Sequence, residues 1–310
     1  MKHAPIALLL CAALIASACG AAPTQGSVAL STATPAVTPP PTTAPTVAPT
    51  ARPAPTAAPE PDWTKEPPIA HDLAPLIEIA IVAERMIRDP KVTGQKLAYY
   101  AWQQQLVIGQ LSNYPEWADP LIAAMPDEIR PSVRGTWDAG RELRRLRGPT
   151  PKTFPDWKIV EPKPIDTLVA LYKEAGQRFG IDWAYLAAIN FVETRMGRIR
   201  GVSSAGAQGP MQFMPGTWAA YGMGGNVEDE RDAIMGAANY LKASGAPGDM
   251  DRALFAYNRH IGYVNAIKGY AQVMQKDPLA YRGYHGWQVY YPTVDGIFLL
   301  APGWTKPPAP

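Results

Sequence analysis

The sequence predicts a mainly α-helical protein with a short β-hairpin near its C-terminal end, preceded by a long stretch that does not build a core. Three observations carry that expectation. From Asp72 onward, apolar residues recur at three- and four-residue spacing, the helical period. Several of the segments so marked open on Asp and close on Gly, the residues suited to helix ends. Only the tail changes to period two, in "GWQVYYPTVDGIFLL".

The N-terminus reads as an export signal over residues 1–18. Lys2 precedes an apolar run from Ile6 to Ile15, which is too short to span a bilayer, and then Ala16-Ser17-Ala18 leads to Cys19. Small residues at 16 and 18 suit ordinary signal peptidase, and Cys19 directly after them makes a lipoprotein-type signal, with Ala16 standing where such signals usually carry Leu. Both readings cut the same bond. The expected product is a lipid-modified Cys19, against a soluble secreted chain with a free thiol. Cys11 leaves with the signal, so the mature chain has no partner for an internal disulfide.

Residues 19–61 are mostly Ala, Pro, Thr and Ser with almost no large apolar side chain. Such a stretch buries too little surface to offset its ordering entropy, so a disordered, partly extended tether is expected. In a polyproline II conformation at about 3.1 Å per residue it reaches on the order of 120 Å. The formal net charge of +2 leaves no footprint for nucleic acid.

Residues 62–150 form a helical region of unassigned role. "DLAPLIEIAIVAERMIRD" places Leu73, Leu76, Ile77, Ile79, Ile81 and Val82 at mostly helical spacing, and "GQKLAYYAWQQQLVIGQLSNY" continues with Leu97, Trp102, Leu106, Val107 and Leu111. Two further helices follow Pro115 and Pro120 and close at Gly148. The basic cluster Arg141, Arg144, Arg145 and Arg147 reads as a solvated helix face in preference to a site for anionic polymers. A proline-punctuated connector spans 151–164.

A second helical domain is expected over 165–280, and residues 281–310 carry the hairpin and tail. Asp166 is placed to cap a helix ending at Gly180, and Asp182 one ending at Gly197. Further helices fit 215–221, 230–244 (capped by Asp229), 252–258 and 263–274. The hairpin turn falls at Asp295-Gly296. Trp287, Tyr290 and Tyr291 suit either sugar stacking or the hairpin core.

Glu193 is the residue with chemistry to offer. Leu186, Ile189, Asn190 and Glu193 share one helix face, so the carboxyl points with core residues. Burial raises its pKa, and the negative end of the helix pushes the same way. A glutamate held protonated near neutral pH is suited to general acid work. The plain alternative is an ion pair with Arg195, Arg198 or Arg200. The segment beyond the helix, "GVSSAGAQGPMQFMPGTW", is too rich in glycine for a helix and too apolar for an ordinary exposed loop. In it Gln212 lies between Met211 and Phe213, an amide that must find partners in the protein or on a sugar.

These segments resemble the bacterial lytic transglycosylases, peptidoglycan-cleaving enzymes with a lysozyme-like fold. "VETRMG" is similar to the family's block around its single catalytic glutamate, in a form nearest the B-type branch. "SSAGAQGPMQFMPGTW" resembles its Gly- and Gln-bearing loop, and "FAYN" its third block, with "AANYL" as a supporting helix. Together they cover about Ile165 to Tyr270.

The resemblance implies Glu193 as acid/base, Ser203 and Gln212 as sugar contacts, Tyr257 orienting Glu193 or the substrate acetamido group, and Asn258 lining the same groove. Phe213 and Met211 are expected at its floor, or equally in the core. The implied partners are peptidoglycan glycan strands and a membrane reached through lipidated Cys19, at an exported, envelope-anchored location. No metal or organic cofactor is implied. The B-type branch has a calcium loop, but "GGNVEDERDA" lacks the ligand pattern and reads as helix capping. Two rivals stay open. One is a lysozyme-type hydrolytic muramidase that uses Asp229, Asp232, Asp249 or Asp251 to place a water. The other is a non-catalytic wall-binding lipoprotein.

Overall fold

The computed structural model describes residues 60–307. The signal, Cys19 and nearly all of the tether therefore lie outside the described residues. From Trp63 onward the described chain belongs to one compact unit.

Helices form where the apolar periods indicate. In the first set, α1 (Leu73–Arg88) packs on α2 (Gly94–Asn113), and a short 3-10 turn leads into α3 (Ala118–Ala124) and α4 (Arg130–Arg144). The second set begins with α5 (Ile165–Phe179) and α6 (Trp183–Thr194). It continues with α7 (Pro215–Tyr221), α8 (Glu230–Ala243), α9 (Met250–Tyr257), α10 (Ile261–Lys276) and α11 (Ala280–Gly286).

Capping follows the sequence in two places and departs from it in a third. Asp182 accepts from the Ala184 amide at 2.9 Å, and Asp229 accepts from the Asp232 amide at 3.1 Å. Asp166 does not cap. Pro164, already extended at ψ 148°, stands at the N-cap, and Asp166 falls inside the first turn. The acidic interval is itself a capping structure, because Asp232 also accepts from the Asn226 amide at 2.9 Å.

The regions 62–150 and 165–280 share a core. Leu111, Trp137, Phe191 and Ile267 all belong to one buried apolar cluster. α4 runs so close to α10 that a Cβ on Gly269 would lie 2.9 Å from the Ala139 Cβ. Periodicity marks the apolar face of each helix but not the helix that covers it, so the sequence draws a boundary where the packing has none.

The connector contributes β1 (Lys158–Ile159), which pairs antiparallel with β2 (Ile199–Arg200) just beyond α6. The terminal hairpin is β3 (Val289–Thr293) against β4 (Gly296–Leu300). Thr293 faces Gly296 in the register, so the turn residues are Val294 and Asp295, one position earlier than the sequence suggests. Gly296, at φ 138°, opens the second strand instead of occupying the turn.

A second apolar cluster of Trp157, Ile159, Ile199, Val289 and Leu300 joins connector, β2 and hairpin. The tail closes it, as the Ile159 amide donates to Trp304 O at 2.9 Å. Each of the three aromatic side chains at the hairpin has a partner within the fold. Trp287 is 6% exposed and donates from Nε1 to Gln104 Oε1 at 2.9 Å. Tyr290 accepts from Trp102 Nε1 at 2.8 Å, and Tyr291 meets Trp157 edge-on at 5.4 Å.

Candidate active site

α6 is apolar almost all round, as expected for a central helix, and it carries Glu193 to its last turn. The helix stops at Thr194, short of Gly197, because Arg195 and Met196 are already left-handed at φ 55° and 61°. Left-handed residues without a glycine's freedom are strained, and such strain persists where surrounding contacts over-determine it. Those contacts are visible. Asn190 Nδ2 and Thr194 Oγ1 both donate to Pro210 O, at 2.8 and 2.6 Å, and Tyr172 donates to Asn190 Oδ1 at 2.6 Å. The Gly197 amide returns to Thr194 Oγ1 at 3.1 Å. This buried network ties the loop over 201–214 to the end of α6.

Glu193 is half-buried and accepts from the Tyr263 hydroxyl at 2.7 Å. Burial pushes its carboxyl up to about 7, and the Tyr263 hydrogen bond draws it part of the way back by favouring the charged form. The three candidate ion-pair partners are engaged elsewhere. Arg198 pairs with Glu161 at 2.9 Å, Arg200 pairs with Glu230, and the Arg195 guanidinium lies over the Phe191 ring at 4.6 Å.

The aromatic side chains beside Glu193 form a continuous row. Tyr263 stacks parallel to Tyr257 at 6.5 Å, and Tyr257 meets Phe213 at 6.0 Å. Tyr257 does not bond Glu193. Its hydroxyl donates to Met211 O at 2.7 Å, so it holds the loop, while Tyr263 takes the place beside the carboxyl. Nothing in "FAYN" points to Tyr263. The one signal in the sequence is its position in the first turn of α10, beside the third block, on an otherwise apolar face.

Met211 and Phe213 are 0% and 3% exposed, so they support the loop from beneath as core residues. Gln212 between them is left-handed at φ 50°, half-buried, and donates to Gly209 O at 3.0 Å. Its amide oxygen accepts no hydrogen bond among the described residues. Gly209 cannot be replaced without disruption, because a Cβ there would lie 1.9 Å from Val227 O. Ser203 is buried, and its hydroxyl accepts from the Ala207 and Ala205 amides at 2.9 and 3.3 Å, which rounds the start of the loop. Asn258 is buried at the end of α9.

The four downstream aspartates have structural partners. Asp229 and Asp232 cap as described, Asp249 accepts from the Arg252 amide at 2.9 Å, and Asp251 pairs with Lys268 at 2.6 Å. Among the described residues no group of three or more His, Cys, Asp or Glu side chains is placed to hold a metal ion.

One raised carboxyl at a helix end, faced by a tyrosine and a glycine-shaped loop, lies inside the segment that similarity singles out. Residues 170–279 match the family model of the transglycosylase SLT domain. The matched segment is thus a lysozyme-like SLT domain within a larger chain. Among curated proteins it is similar to membrane-bound lytic murein transglycosylase F of Thiobacillus denitrificans (strain ATCC 25259 / T1), at 31% identity over 125 residues. That alignment covers 38% of this chain and 26% of the relative, so the chain spans about a quarter of the length of the curated protein it matches. No solved structure gives a significant match.

Proposed function

We propose that this protein is a peptidoglycan lytic transglycosylase that cleaves the β-1,4 bond between N-acetylmuramic acid and N-acetylglucosamine, with Glu193 as its single acid/base. The observation that carries the reading is the Glu193 carboxyl, raised to about 7 by burial, hydrogen-bonded to Tyr263 and free of an arginine partner. A pKa near operating pH lets one group give a proton and take one back.

In the first step Glu193 protonates the glycosidic oxygen. The bond to the anomeric carbon breaks, and the substrate's own acetamido oxygen bonds to that carbon. The second carboxylate of ordinary glycosidases is therefore unnecessary. In the second step the muramoyl C6 hydroxyl attacks the anomeric carbon and gives its proton to ionised Glu193. The acetamido group is released and a 1,6-anhydro end forms. Tyr263 orients the carboxyl through both steps. The unbonded amide oxygen of Gln212 and the buried Asn258 are the polar groups offered to the sugar, with Ser203 and Tyr257 shaping the loop that presents them.

The structural engagement of Asp229, Asp232, Asp249 and Asp251 favours this reading over a hydrolytic one, in which an aspartate positions water. The SLT match and the lytic transglycosylase relative support a cell-wall substrate, and the relative's membrane-bound designation supports an envelope location. No helix among the described residues is long and apolar enough to cross a membrane. A lipid on Cys19 supplies the attachment in this proposal.

Mass spectrometry of wall digests tests it. The wild-type chain should release anhydromuramoyl ends, and Glu193→Gln should release none. Reducing muramic acid ends in their place identify a hydrolase, and an unchanged wall-related effect in Glu193→Gln identifies a binding protein.

A further inference from the structure

Three successive carbonyls of the loop are held just before the chain reaches Gln212. Gly209 O accepts from the Gln212 backbone amide and from Gln212 Nε2, both at 3.0 Å. Pro210 O accepts from Asn190 Nδ2 at 2.8 Å and from Thr194 Oγ1 at 2.6 Å. Met211 O accepts from the Tyr257 hydroxyl at 2.7 Å. The polar atom left over is the Gln212 amide oxygen, which the reading above offers to the sugar.

The middle hold comes from a fully buried amide on an otherwise apolar helix. Such a group costs free energy unless each of its polar atoms is matched. Asn190 matches them all. Its Oδ1 accepts from the hydroxyl of Tyr172 on α5 at 2.6 Å, and its Nδ2 serves both Pro210 O and, at 3.3 Å, Thr194 Oγ1. Tyr172 is itself fully buried, so its hydroxyl fixes which end of the Asn190 amide faces the loop. The backbone on either side needs holding. Gln212 is left-handed at φ 50°, as are Arg195 and Met196 at the end of α6 at 55° and 61°. Non-glycine residues keep that conformation only while their surroundings impose it.

We infer that Asn190 is a positioning residue: seated by Tyr172, it holds Pro210 O and thereby sets where the Gln212 amide oxygen meets the glycan. A misplacement of about 1 Å near a reacting centre costs up to about a hundredfold in rate, so the hold bears on catalysis as well as on folding. The inference rests on the glycan-cleaving reading above, and it extends that site through α6 to α5.

The test is a double-mutant cycle on the full chain. It is read as kcat/KM for anhydromuramoyl release from soluble peptidoglycan strands, and as Kd for the same strands in a Glu193→Gln background, both per folded molecule. Asn190→Ala and Gln212→Ala should each lose about tenfold, and the double variant should fall no further than Gln212→Ala, where independent residues would multiply to about a hundredfold. Tyr172→Phe, which keeps the ring, should lose about threefold and show the same coupling to Gln212. Tyr284→Phe is the control for stability alone. That hydroxyl shares a hydrogen bond with Thr136 Oγ1 at 2.5 Å, and its ring stacks on Phe191 at 5.0 Å, so its loss should lower the melting temperature and leave both constants unchanged. A double variant that loses the full product of the two single effects overturns the inference. So does a folded Asn190→Ala chain with wild-type constants. Should Asn190→Ala not fold, Tyr172→Phe carries the cycle in its place. Coupled losses of affinity in a chain that releases no anhydro products keep the positioning role and remove the transglycosylase reading. Anhydro products with multiplying losses do the reverse.

Discussion

Replacing Tyr263 by Phe removes one hydroxyl from a packed site and leaves the ring that stacks on Tyr257. The lost hydrogen bond is 2.7 Å long and favours the ionised form of Glu193. A hydrogen bond to a charged group contributes about 1.5 to 3 kcal/mol, and about 1.4 kcal/mol corresponds to one pH unit. The Glu193 carboxyl, already raised to about 7 by burial, should therefore titrate at least about one pH unit higher in Tyr263→Phe. Glu193 must be protonated to start the reaction. The limb of the kcat/KM profile that falls with rising pH should thus lie near 7 in wild type and move to higher pH in the variant. The assay is release of anhydromuramoyl product across the range, with Tyr257→Phe as the companion, since that hydroxyl bonds Met211 O and its loss should leave the limb in place. A Tyr263→Phe limb that stays put or moves down would falsify the assignment of Tyr263 as the partner that favours ionised Glu193.

Glu193 should also cost stability. Its folded pKa of about 7 lies above the ordinary glutamate value of 4.5, so the folded state holds the proton longer, and stability falls as pH rises from 4.5 through 7. Glu193→Gln should accordingly raise the melting temperature by several degrees at pH 8 and by little at pH 4, as read by calorimetry. Gly209→Ala places a Cβ against Val227 O at a left-handed position of φ 71°, and should lose more than about 2 kcal/mol in denaturant titration. Trp287→Ala opens the core beside Phe191 and Tyr284 and should lose about 3 to 5 kcal/mol. Glycan affinity per folded molecule should be unchanged in that variant, because the ring is core and not a sugar platform.

The polypeptide by itself settles what local physics can settle. Helical spacing places the helices, and Asp182 and Asp229 mark two of their starts because a short acceptor beside free amides needs nothing distant. Glu193 and the loop to Trp218 are likewise legible, since a carboxylate on an apolar face and glycines in an apolar loop are both locally anomalous. Other features depend on residues far apart in the chain. Tyr263 lies seventy positions from Glu193 and bonds it only because α10 packs against α6. Arg144 looks like its neighbours Arg141 and Arg145 until α4 is laid on α10, when those two stay exposed in ion pairs and Arg144 lies over Trp137 on the side of Tyr270. The hairpin aromatics change meaning in the same way, as Trp287 finds Gln104 from α2. A helical period says which side of a helix is apolar, whereas the identity of the opposing surface is a property of the assembled core alone. That core decided which tyrosine holds the acid.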